Sequence, residues 1–382
     1  MRYDACRAIS SDGYCGVSVC SSLKLNCLEP AMKKTLIALA LLSTVSGAAM
    51  AQSSVTLYGI ADIGLGKSVA TGETKWGAQS NGILNNSNSR IGFTGTEDLG
   101  GGLKAGFRFE GNINLANGAA GGSGGTTGGA TWSREANVFL GSKTFGTLKL
   151  GRSFAPAFDA DAVWELTGEA NYSVIANTYG FGGGPFLRNN AQLEYLSPNL
   201  AGFSAEVAYI PKADGGLLDG GYGVANRTDR WDVNVAYQQG PIAVALDANK
   251  SNKTNTLNYP GSDKVNYSVG GQYKFGKNFA ATASYHHGNA AQQWSNRLAS
   301  GAGGLVFAKR YGYALGGSAT LGQFVVTLEL TRDTRNQVYD GRKYTNGMLE
   351  GKYNMSKRTF LYAAYLRLDG TNNYGLGICH SF

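Results

Sequence analysis

The sequence predicts an all-β chain, a transmembrane antiparallel β-barrel of about sixteen strands, and three observations support it. Apolar and polar residues alternate with a period of two from about residue 53 to the C-terminal Phe382, the signature of strands with one apolar and one polar face. The connections between these segments are alternately short and long. The composition suits neither helices nor a charged soluble surface: 56 glycines, 21 tyrosines, 7 prolines and 16% charged residues, where about a quarter is usual. No run of 18 apolar residues occurs after the leader, so spanning by helices is excluded and spanning by strands is not.

In chain order, residues 1–31 stand apart. They hold four of the five cysteines, Cys6, Cys15, Cys20 and Cys27, and show no strand alternation. MKKTLIALALLSTVSGAAMAQ follows, with Lys33 and Lys34 before an apolar stretch from Leu36 to Leu42 and a small-residue Ala49-Met50-Ala51 cleavage site. That pattern is a secretory signal peptide over 32–51. Met32 stands where such a peptide begins, so residues 1–31 read as an upstream, non-native extension and 52–382 as the barrel.

The stretch SRIGFTGTEDLGGGLKAGFRFEG, Ser89–Gly111, is the first clear hairpin. Leu103, Ala105, Phe107 and Phe109 share one face; Lys104, Gly106, Arg108 and Glu110 share the other. Taken alone, this hairpin fits a soluble sandwich or a lipid-facing barrel with a polar lumen. Later segments repeat the parity: Phe203, Ala205, Val207 and Tyr209 against Ser204 and Glu206; Trp231, Val233, Val235 and Tyr237 against Asp232, Asn234 and Gln238. Short turns include 98–102, 143–146, 198–202, 239–241, 276–278, 322–323 and 355–357, and long connections include 67–88, 115–133, 155–187, 211–226 and 289–308. Short turns at one end and long loops at the other suit the periplasmic and external ends of an outer-membrane barrel. Aromatics near strand ends, among them Tyr58, Tyr209, Tyr237, Tyr273, Phe275 and Tyr353, fit interfacial girdles.

Charge and side-chain chemistry exclude several function classes. The five basic and three acidic leader residues reduce the net charge from +8 to +6. The remaining cations are dispersed singly along strands rather than gathered in a patch, which argues against nucleic acid. Cys379 alone remains after the leader, so neither a disulfide framework nor a cysteine zinc site is expected. His286 and His287 are adjacent on a strand and so face opposite sides. The glycine pairs of GAAGGSGGTTGGA lack the GK[ST] ending of a phosphate loop. No clustered nucleophile and base suggests an enzyme, and no cofactor is expected.

Four stretches carry a resemblance to the trimeric Gram-negative general porins of β-proteobacterial type, over essentially all of residues 53–382. SSVTLYGIADIGL (Ser53–Leu65) is similar to the family's first strand, and Ser89–Gly111 to its second and third. NVFLGSKTFGTLKLGRSFAPAFDA (Asn137–Ala160) resembles strands four and five with the start of the constriction loop. YGLGICHSF (Tyr374–Phe382) resembles the closing strand with its terminal phenylalanine. The resemblance implies a homotrimer in the outer-membrane lipid, folded by the barrel-assembly machinery with Phe382 as the assembly signal. Small hydrophilic solutes and ions would cross it by passive diffusion.

It further implies that 155–187, the third external loop, folds into the lumen. Its acids Asp159, Asp161, Glu165 and Glu169 would then face wall arginines Arg90, Arg152 and Arg188 at the pore constriction. Arg108 and Glu110 reach the lumen by parity, and Glu110 also resembles a family pore acid. Ile60 stands where some members carry lysine, with Asp62 two residues on and on the same face. Strict parity sets Arg152 beside Leu150, so a bulge at Gly151 is required to turn the arginine inward. A barrel protease or phospholipase, an autotransporter translocator and a plugged siderophore receptor are the alternatives. They would need a catalytic cluster, a passenger or a plug domain, respectively.

Overall fold

In the computed structural model, residues 54–121, 130–181, 187–211, 229–251, 264–295, 304–339 and 341–382 are described. The upstream segment 1–31, the leader 32–51 and the glycine-rich residues 122–129 lie outside them, as does most of the connection 211–226. The strands are β1 (Ser54–Ser68), β2 (Gly77–Gln79), β3 (Arg90–Gly100), β4 (Leu103–Asn112), β5 (Glu135–Ser142), β6 (Gly146–Phe154), β7 (Arg188–Leu196), β8 (Phe203–Ile210) and β9 (Arg230–Gln239). They continue with β10 (Ile242–Ser251), β11 (Asn266–Phe275), β12 (Phe279–Ser295), β13 (Gly304–Leu321), β14 (Phe324–Asn336), β15 (Thr345–Asn354), β16 (Thr359–Leu368) and β17 (Thr371–Ser381). Two short helices, α1 (Pro156–Ala162) and α2 (Val174–Tyr179), lie between β6 and β7.

From β3 onward each strand pairs antiparallel with the next, and β17 returns to β1 from Ile60↔Ser381 to Ser68↔Asn373. The other edge of β1 pairs with β3 over Ser54–Ile60 and with the extra strand β2 over Gly64–Gly66. The result is a closed sixteen-stranded barrel with one additional short strand. Closure leaves no strand edge exposed, which is what a strand needs in lipid. Among the described residues no helix is long and apolar enough to cross a membrane.

The burial pattern decides between the two readings of the first hairpin. Val235, Leu246, Val269 and Leu328 are exposed on the outside, while their neighbours Asn234, Asp247, Ser268 and Glu329 are buried on the inside. A soluble sandwich would reverse this, so the apolar faces are the lipid-facing ones. Aromatic pairs mark both rims: Phe203–Tyr237 and Phe324–Tyr353 near the short turns, and Tyr267–His287 and Tyr285–Tyr313 toward the opposite end. Tyr58 is not among them. It shares parity with Thr56, turns inward, and has the Arg108 guanidinium 5.9 Å from its ring.

Two departures from strict alternation shape the wall. A register shift between Gly151 and Ser153 in the β6–β7 pairing, with Gly151 at φ 126°, is the expected bulge. The long connection 289–308 is largely strand instead, because β12 and β13 remain paired as far as Ser295↔Gly304.

At the seam, the Phe382 N–H donates to Gly59 O and the Gly59 N–H to Phe382 O, both at 3.1 Å. A Cβ on Gly59 would lie 2.4 Å from the Phe382 ring and 2.5 Å from Arg90 O. Gly59→Val is therefore expected to oppose closure as Phe382 deletion does, lowering folded barrel in the outer membrane with synthesis unchanged. Heat-modifiable gel mobility reads this directly; normal folded yield from both variants would remove Phe382 from barrel closure and assembly.

Candidate functional site

Residues 155–181 cross the inside of the barrel, and their own side chains account for that path. Pro156 occupies the first turn of α1, where its missing N–H costs nothing. The Ser173 side chain caps α2 by accepting from Ala176 N–H at 3.4 Å. Between and within the helices, Trp164, Tyr172, Val174, Ile175 and Tyr179 are fully buried against the inner wall, and together with Met348, Tyr362 and Leu366 they form the protein's apolar core. The core thus sits inside the barrel, beneath the loop.

The wall receives these rings at glycines. A Cβ on Gly270 would lie 2.1 Å from the Trp164 indole, and one on Gly312 would lie 2.0 Å from Tyr179 Oη. Polar contacts complete the seat. Asn234 Nδ2 donates to Pro156 O at 2.8 Å, Lys352 Nζ to Thr167 O at 3.1 Å, and Asn171 Nδ2 to Asn88 Oδ1 at 2.7 Å.

Opposite the loop, arginines gather. Glu110 is shared: Arg134 Nε lies 2.5 Å from Oε1 and Arg90 Nε 3.6 Å from Oε2. Arg152 Nε donates to Ser133 O at 2.6 Å, and its Nη1 pairs with Asn190 Oδ1. The Arg188 guanidinium lies 3.9 Å over the Phe154 ring, which stacks at 4.2 Å on Phe158 of α1. Arg188 Nε and Nη2 have no hydrogen-bond partner. A cavity of about 400 Å³ separates the two sides. Its charged lining is Arg90, Arg134 and Arg188 on the wall and Glu169 on the loop, with Asn171 and Asn177 between.

The other expected site residues lie elsewhere around the lumen. Asp62 is fully buried, accepting from Tyr362 Oη at 2.7 Å, Asn85 Nδ2 at 2.9 Å and Ser87 N–H at 2.8 Å. Arg108 is half-exposed, 3.5 Å from Glu135. Asp161 turns to the wall, where Ser268 Oγ donates to it at 3.4 Å. Glu165 folds back to accept from Thr167 and Glu169 N–H groups at 2.8 and 2.9 Å. Asp159 sits at the base of the loop beside Glu194 and Glu206, with one carboxylate oxygen of each within 4.8 Å of the others.

Burial and then the adjacent Glu194 push the Asp159 carboxyl up to about 7. Burial, then Glu165, Asp161, Glu329 and Asp159, hold Glu169 well above the usual carboxylate range. Sequence reasoning missed Arg134, the phenylalanine stack and the Glu194–Glu206 pair. Arg134 shares parity with the outward Val138 and Leu140, so alternation pointed it away from the lumen.

A family model described as Gram-negative porin matches residues 38–373. Outer membrane porin protein 32 of Delftia acidovorans is 33% identical over 366 residues, covering 90% of this chain and 92% of its own length. An outer membrane porin protein of Bordetella pertussis is 30% identical, covering 92% of this chain and 100% of its own. Among solved structures, an anion-selective porin from Comamonas acidovorans has a TM-score of 0.63 at 24% identity, over 87% of this chain and 100% of that one. An OmpF complex with daunomycin from Salmonella typhi reaches 0.64 at 17% identity, over 86% and 97%.

Proposed function

The chain belongs to the Gram-negative porin family, outer-membrane barrels that enclose a water-filled channel for passive diffusion, and from that premise we propose that this channel favours small anionic solutes. The observation that carries the reading is the charge around the narrow cavity. Three guanidiniums, Arg90, Arg134 and Arg188, stand against two carboxyls, Glu169 across the cavity and Glu110, which Arg90 and Arg134 share, and Arg152 stands behind them. Exposed charges farther away than about 8 Å are largely screened at physiological salt, so this local surplus outweighs the +6 of the whole barrel.

Asp161 and Glu165 are spent on the wall and on the loop itself, and Asp62 is enclosed. The arginines on the wall and Glu169 on the loop set a field across the opening, which orients dipolar solutes and penalises bulky apolar ones. The description of the Comamonas acidovorans porin as anion-selective agrees with this reading. The zero-current potential of purified protein across a potassium chloride gradient tests it. A potential of the anion-selective sign supports the reading, and one of the cation-selective sign removes it.

Glu169 adds a pH dependence. Burial and then Glu165 raise its pKa, so it ionises at a higher pH than an ordinary glutamate and then adds negative charge beside the arginines. As the pH is raised the potential should therefore drift toward cations, and Glu169→Gln should flatten the drift. An unaltered drift in that variant would assign it to other groups.

The apolar outer wall and the family suit a homotrimer, which the mass of the detergent-solubilised protein by light scattering tests; a mass of one chain would exclude it. Cleavage after Ala51 is tested by N-terminal sequencing, where any start away from Gln52 counts against it.

A further inference from the structure

At the base of the inward loop, three carboxylates from three elements converge. Asp159 comes from α1, Glu194 from β7 and Glu206 from β8, and one oxygen of each lies within 4.8 Å of the others. Glu194 is fully buried. Its Oε2 is engaged by Lys149 Nζ at 2.9 Å, Gln192 Nε2 at 2.9 Å and Ser153 Oγ at 3.2 Å, yet its Oε1 has no partner at all.

An enclosed carboxylate oxygen without a donor is costly unless a cation meets it. Lys149 is the cation ion-paired here, and Asp232, whose Oδ1 also lacks a partner, adds a further acid beside Asp159 and Glu206. Even with the Arg230 guanidinium acting on Asp232, two cations do not balance these four acids.

We propose that Asp159, Glu194 and Glu206 bind a calcium ion, which clips the base of the loop to strands β7 and β8. Oxygens bound to one Ca²⁺ at ~2.4 Å stand up to about 4.8 Å apart, so the three can meet one ion after a small adjustment of their side chains. Magnesium requires closer and more regular octahedral ligands. Asp159 and Glu206 are only half-buried, so lumen water completes the coordination. Asn234 Nδ2 already links the same two elements, donating to Pro156 O at 2.8 Å and Glu206 Oε2 at 2.9 Å. The ion therefore reinforces an existing contact between loop and wall.

Purified full-length protein in detergent, stripped with a chelator and dialysed, is titrated with Ca²⁺ at pH 8 by isothermal calorimetry. One saturable site per chain is expected, in the ~10⁻⁴–10⁻³ M range of extracellular calcium modules. Asp159→Asn combined with Glu206→Gln should weaken it at least tenfold. Asp159→Asn alone changes no strand and gives the same reading if the double variant fails to fold. Absence of saturable binding, which is what carboxyls sharing protons would give, overturns the proposal. Undiminished binding in both variants also overturns it, because the ion then sits elsewhere. Neither outcome depends on whether the channel prefers anions.

Discussion

Replacing Arg152 and Arg188 together by glutamate is expected to reverse the sign of the zero-current potential, from anion-selective to cation-selective. The pair changes the charge by four units at and just behind the arginine-lined cavity. A unit charge about 4 Å from a permeating ion is worth about 1 kcal/mol even in bulk water, roughly fivefold in local ion concentration. Four such steps should move the permeability ratio by well over tenfold. Arg188 suits the test because its Nε and Nη2 have no partner, so its loss strands no acceptor. Arg152 holds Ser133 O and Asn190, so a modest fall in barrel yield is expected in that variant. An unchanged potential at low salt would mean that the segment 155–187 does not form the constriction.

The two halves of this structure were unequally legible in the sequence. A strand has two faces and a period of two, so Val233 and Val235 against Asp232 and Asn234 suffice to say which side meets lipid. Even the break in parity at Leu150 and Arg152 announced itself, since only glycine readily takes the φ of 126° found at Gly151. The loop has no such period. Asp159, Asp161, Glu165 and Glu169 look equivalent in sequence, yet each ends in a different environment. What separates them is where Trp164 and Tyr179 seat on the wall, and those seats are Gly270 and Gly312, more than a hundred residues away. Nothing local to the acids encodes that. Arg134 was hidden for the opposite reason: the parity that located most wall residues pointed it outward, and its pairing with Glu110 comes from the chain turning just before β5.

The second large effect is expected where the loop is seated. Trp164 is wholly buried on Gly270, and Trp→Ala in a packed core costs about 3–5 kcal/mol. Here the cost falls on loop docking rather than on the strand ladder, because no strand-to-strand hydrogen bond involves Trp164. Its backbone carbonyl accepts from Gln272 Nε2 at 3.3 Å, and the indole Nε1 has no partner. Trp164→Ala should therefore leave barrel yield near normal while the open channel becomes wider and noisier in single-channel records. Gly270→Leu attacks the same contact from the wall side, placing a side chain where the indole lies, and should give the same electrical phenotype. The two changes are coupled. Leucine at 270 can occupy the space that alanine at 164 vacates, so the double variant should be quieter than either single variant, the non-additivity expected of residues in direct contact. If Trp164→Ala conducts as the unmodified protein does, the segment 155–187 does not narrow the channel. If the single variants are altered but strictly additive, the loop narrows the channel yet is held by something other than this ring on this glycine.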